Sequence, residues 1–143
     1  MKKVPALLSA LLMFAPIAQA GEMAPGLWDL TINLDAPGIP EQMRTQKQKD
    51  CLSVEDAKDP EASLRKSWEE DSCSDTDLKK SGNTLSWSAN CNIPGTQSRT
   101  QVTGKMVMHN SKHYTSEMTM KGNNHQMKTV VEGKWAASEC TGK

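Results

Sequence analysis

Cys73 and Cys91 stand at equal distances from the middle of the tripeptide Ser81-Gly82-Asn83. Small and polar residues around a glycine favour a chain reversal with positive φ. A hairpin folded there, with Lys80 facing Thr84, brings the two cysteines directly opposite one another. Opposed positions on adjacent antiparallel strands hold their Cβ atoms at a separation that a disulfide can span. Cys73 is therefore paired with Cys91 and, by elimination, Cys51 with Cys140, the chain having four cysteines. The two other connectivities stay open at this point. No Cys-x-x-Cys occurs, so neither a thioredoxin-like redox pair nor a zinc ribbon is indicated.

The period of two extends well beyond this hairpin. In Leu27-Trp28-Asp29-Leu30-Thr31-Ile32-Asn33-Leu34 the residues Trp28, Leu30, Ile32 and Leu34 alternate with smaller or polar ones, the pattern of a half-buried strand. Pro37-Gly38-Ile39-Pro40 ends it, and residues 44–51 read as a polar second strand. Helix is expected only in the middle. Ser53 can cap a turn over 54–58, and Asp59-Pro60 offers a second cap with proline at the first helical position. Leu64 and Trp68, four apart, would then share the face that packs on the sheet. Strands follow over 76–80, 84–91, 99–109, 113–121 and 126–136. A turn at 110–112 would set Met108 beside Tyr114, and Asn123-Asn124 suits a two-residue reversal that sets Met120 across from Met127. The expected fold is mainly β: a strongly curved antiparallel meander or open barrel of about seven or eight strands, with one or two short helices and two disulfides.

The first twenty residues are of another kind. Lys2 and Lys3 precede an apolar run over 4–18, which closes on Ala18-Gln19-Ala20. A basic start, an apolar stretch too short to span a bilayer and a small-x-small site define a cleavable export signal. Residues 1–20 are thus expected to be removed, leaving a single β-rich domain over 21–143. Cleavage takes two lysines from a chain of 17 basic and 17 acidic residues, so the mature protein is slightly acidic. Basic and acidic residues are interleaved, which argues against a nucleic-acid partner. No second apolar stretch is long enough to cross a membrane. The expected location is the periplasm, whose oxidising conditions suit disulfides.

The order of these features resembles a family of small exported bacterial proteins described as domain of unknown function 3617. The residues that carry the resemblance are Pro25-Gly26-Leu27-Trp28, the Pro37-Gly38-Ile39-Pro40 break and Cys51-Leu52-Ser53-Val54-Glu55-Asp56-Ala57. They continue through Cys73, Ser81-Gly82-Asn83-Thr84-Leu85-Ser86-Trp87, Cys91, Met118-Thr119-Met120 and Cys140. The resemblance spans nearly the whole mature chain and implies no catalytic residue.

Two sets of residues invite a functional reading. Trp28, Leu30, Met106, Met108, Met118, Met120 and Trp135 fall on the apolar side of their strands, and Trp87 with them. Together they would line a filled core or a cavity able to hold an apolar ligand. Methionine and histidine crowd the segment 106–127, and thioether and imidazole are ligands suited to copper. In the expected register, however, His109 and His113 point away from the methionines, so adaptable packing explains the latter better. His109, His113 and His125 stay as an alternative metal set. Asp71, Asp75 and Asp77 lack the glycine and closing glutamate of a calcium loop. No Gly-x-Ser-x-Gly, His-Glu-x-x-His or phosphate-binding glycine loop is present, and no thiol is free once both disulfides form. The expectation is a non-enzymatic periplasmic module without cofactor, holding an apolar ligand or an envelope protein; the alternative is a periplasmic copper-binding protein.

Overall fold

The computed structural model describes residues 22–93 and 96–141. The expected export signal lies outside them. Seven strands form one open antiparallel sheet. In chain order they are β1 (Gly26–Asp35), β2 (Thr45–Leu52), β3 (Ser74–Ser81), β4 (Thr84–Asn92), β5 (Arg99–Asn110), β6 (His113–Lys121) and β7 (Gln126–Ala137). Strands β3 to β7 make the meander, β7 then pairs with β1, and β1 pairs with β2, so that β2 and β3 are the two edges. The helices are α1 (Glu41–Arg44), α2 (Val54–Lys58) and α3 (Pro60–Glu70). Three helices therefore replace the one or two expected. The additional one, α1, is a single turn after Pro40, where proline ends one strand and leaves the first helical turn permissible.

Both disulfides form as paired from the sequence, Cys51 with Cys140 and Cys73 with Cys91. The register that led to the second pair needs correction. Ser81 faces Thr84 and Lys80 faces Leu85 across a two-residue turn, so Lys80 does not face Thr84. Gly82 takes that turn with φ of 58°. The difference of one residue is cancelled by a bulge between Ser74 and Asp77, where Asp75 adopts φ of 51°. Beyond the bulge Ser74 faces Asn90, which restores Cys73 to its place opposite Cys91. The β5–β6 connection behaves alike: Asn110 faces His113, and an irregularity behind it leaves Met108 opposite Tyr114. Met120 lies opposite Met127, as the Asn123-Asn124 turn requires.

These registers sort the side chains onto two faces. Leu85, Met106, Ser116, Val131 and Ile32 lie in one row across five strands, and residues two positions away share their face. The other face carries Lys105, Glu117, Lys128, Glu132, Thr31 and Lys47. Helices α2 and α3 join edge strand β2 to edge strand β3 and cover the apolar face on the way. Ser53 caps α2 by accepting from the Asp56 amide at 3.1 Å, and Asp59 caps α3 by accepting from the Ala62 amide at 3.0 Å. Ala57 and Trp68 are the buried residues of this cover.

The apolar face is planed flat at two glycines. A side chain at Gly104 would collide with the Trp87 ring, and one at Gly133 with the Tyr114 ring. Both aromatic rings thus lie across bare backbone of the neighbouring strand. Tyr114 also meets Trp28, ring centroids 5.4 Å apart, and Trp28 is the most deeply buried large side chain at 2% exposure.

Candidate functional site

Helix α3 does not rest on the sheet along its whole length. Trp68 and Leu64, one turn apart, point toward the apolar face, and beneath them Trp87, Val102, Thr100, Met118 and Met120 form a floor. Between roof and floor is a cavity of about 400 Å³, with Ile93 at its side. Its location follows from local signals. The Asp59 cap starts α3, and the chain leaves it at Ser72, whose φ of 51° lets the Cys73 amide bond to the Trp68 carbonyl at 2.9 Å. The Cys73–Cys91 bond then pins the end of the helix to β4, beside the cavity.

The lining is mainly apolar, with Ser67, Asp71, Asn92 and Thr100 as its polar members. Thr100 is buried, but its hydroxyl donates to the Lys121 carbonyl at 3.1 Å, so the polar atom is already satisfied by the backbone. Asp71 is the one charged residue of the lining and sits at the solvent-exposed end of α3. Toward the β6–β7 turn the cavity adjoins a second space of about 320 Å³, edged by Ile93, Ser98, Met120, Met127 and the turn residues Gly122, Asn123, Asn124 and His125. On the other side of Leu64 and Trp87 is a third space, also about 320 Å³, bounded by Met23, Leu52, Leu85, Met106 and Tyr114. Leu64 and Trp87 line both the main cavity and this third space and form the partition between them.

The residues singled out from sequence divide between packing and cavity. Met118 and Met120 line the main cavity, and Met106 the space beyond the partition. Trp28, Leu30 and Met108 are buried in the core. Trp135 faces Trp28 in the register, donates from its indole to the Pro25 carbonyl at 3.0 Å and lies under the Lys112 ammonium. The sequence reading passed over Leu64, Trp68 and Ile93 as site residues. The four-residue spacing of Leu64 and Trp68 announced a packing face, and only the path of α3 across the sheet shows what it packs over.

The histidines do not converge. His109 and His113 lie on the polar face with ring centroids 4.6 Å apart. His109 Nε2 is 2.9 Å from the Thr115 hydroxyl and His113 Nε2 is 3.1 Å from Glu132. Lys134 and, after it, His113 hold the Glu132 carboxyl below its ordinary range. His125 belongs to the turn at the opposite end of β6, beside the cavity. Among the described residues no group of three or more His, Cys, Asp or Glu side chains is arranged to hold a metal ion. The Asp71 to Asp77 stretch is equally dispersed, Asp75 accepting from the Asn90 amide at 3.0 Å and Asp77 meeting Lys79 at 3.5 Å.

A family model described as protein of unknown function (DUF3617) matches residues 23–140. The chain belongs to the DUF3617 family. The matched span begins in the lead before β1 and ends on the second cysteine of the Cys51–Cys140 bond, so this DUF3617 domain includes both disulfides and the whole sheet. No curated protein and no solved structure matches it. Among its described residues no helix is long and apolar enough to cross a membrane.

Proposed function

We propose that this protein is a non-enzymatic binding module of the periplasm, exported by the signal over 1–20, that holds a small apolar ligand between helix α3 and the sheet. The observation that carries the reading is the cavity of about 400 Å³ under Trp68 and Leu64. Its volume is in the range of small-molecule sites, and an apolar lining with few polar groups is what such sites share. The space opens to solvent past Asp71, Asn92 and Ile93, so a guest can reach its apolar walls, whose burial would favour binding. Met118 and Met120 suit the role, since unbranched thioether side chains adapt to differently shaped guests.

The test is the disulfide-bonded protein purified from an exporting cell, examined by native mass spectrometry, organic extraction and metal analysis. An apolar molecule retained by the protein and released by organic solvent is the expected result, as is enhanced emission of an apolar dye that a Met120→Trp variant abolishes. Failure of both the extraction and the dye overturns the reading. Stoichiometric copper with an unoccupied cavity overturns it in favour of a metal role for His109 and His113.

A further inference from the structure

We infer that the ligand is a single-chain amphiphile with an uncharged, hydrogen-bonding head, bound tail-first with its head at the β6–β7 turn; this rests on the binding role proposed above and names the class of ligand and its direction.

The two ends of the apolar face are built differently. At the β1 end the lead before the first strand is strapped down by backbone bonds. The Met23 amide donates to the Ala57 carbonyl at 3.2 Å and the Ala24 amide to the Ser111 carbonyl at 2.7 Å. The Trp28 indole donates to the Ala24 carbonyl at 2.9 Å and the Trp135 indole to the Pro25 carbonyl at 3.0 Å. Met23 thereby forms one wall of the inner space, whose other edge is the start of α3 at Pro60 and Ser63. The Leu64 and Trp87 partition stands further out and sets the depth that a chain can reach without rearrangement.

At the other end the main cavity continues past Met120 and Ile93 into the space edged by Ser98, Asn123, Asn124 and His125. Those four side chains are exposed and supply hydroxyl, amide and imidazole groups. Among the described residues no side chain of fixed charge lines that space. The nearest basic groups are directed elsewhere: the Arg99 guanidinium bonds to the Ser74 hydroxyl and the Asn90 carbonyl, and Lys121 occupies a polar-face position in the register with Gln101. An apolar space bounded on one side by the Leu64 and Trp87 partition and rimmed on the other by neutral hydrogen-bonding groups matches a molecule with the same polarity gradient. Among the described residues an ionised head at this exposed rim would find no lining side chain of opposite fixed charge, whereas a neutral head can use the hydroxyl, amide and imidazole groups there. A bulky polycyclic guest would leave the polar rim unused.

Monoacylglycerols carrying a nitroxide at either the chain terminus or the glycerol end test this by paramagnetic broadening in NMR spectra of the disulfide-bonded protein. The expected result is broadening of Leu64 methyl and Trp87 indole signals by the terminal label, and of the 122–125 amides by the head label. Asn124→Ala with His125→Ala, a change at exposed positions, is expected to weaken monoacylglycerol binding about three- to tenfold while leaving a headless apolar dye unaffected. A reversed pattern of broadening overturns the inference, as does binding with no localised broadening or tighter binding of the matching fatty acid anion. Binding of the dye alone also overturns it and leaves the proposed binding role standing; binding of neither removes both.

Discussion

Strand β6 carries Tyr114 near one end and Met118 and Met120 near the other, on the same face, and the two ends have different interiors. Around Tyr114 aromatic rings pack on bare backbone: the ring lies across Gly133 and meets Trp28 at 5.4 Å, with the smaller space of about 320 Å³ on its Met106 side. Around Met118 and Met120 the face is roofed by Trp68 and Leu64 without being filled. The disulfides divide in the same way. Cys51–Cys140 spans 89 residues and ties edge strand β2 to the chain just after β7 at the aromatic end; Cys73–Cys91 spans 18 and borders the cavity. Rigid aromatic packing supplies stability at one end, and adaptable side chains leave room at the other.

The contrast can be broken most forcefully at the disulfides. In the chain-entropy treatment, replacing Cys51 and Cys140 together by serine is expected to cost roughly 4–5 kcal/mol, and replacing Cys73 and Cys91 about 3 kcal/mol. Urea denaturation of the two double variants measures the difference, and equal losses would deny the aromatic end its larger share. Next, Trp28→Ala should cost about 3–5 kcal/mol by opening a void in a closed interior. Met120→Ala, which enlarges space already present, should cost about 1 kcal/mol. Thermal unfolding of the pair reads that ratio, and similar values would show the cavity end to be as tightly packed as the other.

The glycines sharpen the comparison at smaller scale. Gly133→Ala forces the Tyr114 ring against Trp28 and the lead, at an expected cost of about 1–3 kcal/mol. Gly104→Ala displaces the Trp87 ring, which has the cavity to move into, and should cost less than its counterpart by about 1 kcal/mol. Denaturation midpoints compared at equal m-value decide the order.

The smallest effect is electrostatic. Burial, and secondarily the charge of Asp50, raises the Tyr114 phenol above its ordinary value of 10.0. The folded state therefore holds that proton more tightly than the unfolded chain. Its contribution is fully present below about pH 10 and is lost as pH rises through the folded pKa. Stability measured from pH 9 upward should fall less steeply in Tyr114→Phe than in the parent protein. An unchanged slope would place the alkaline sensitivity elsewhere.

Much of the sheet was legible because its signals are local. Alternation across Trp28 to Leu34 marks β1, and the Asn123-Asn124 reversal correctly set Met120 against Met127. The Ser53 and Asp59 caps both act where their side chains announced them. The pairing of Cys73 with Cys91 was right although the turn beside it was misread by one residue. The bulge at Asp75 that absorbs the difference has no sequence mark of its own, because a single residue of positive φ other than glycine depends on what the ladder around it demands.

What the chain's order of residues determined by itself is a mainly antiparallel β domain of about seven or eight strands with two disulfides, and a polar face kept apart from an apolar one. Period-two alternation and turn chemistry act between near neighbours, and both are written in the chain directly. What only the tertiary structure decided is that the apolar face stacks its aromatic rings at Trp28 and Tyr114 and leaves its larger space, about 400 Å³, at Met118. That difference is set by where α3 crosses the sheet and by how far Trp68 stands above Trp87, distances between elements remote in sequence that packing as a whole establishes.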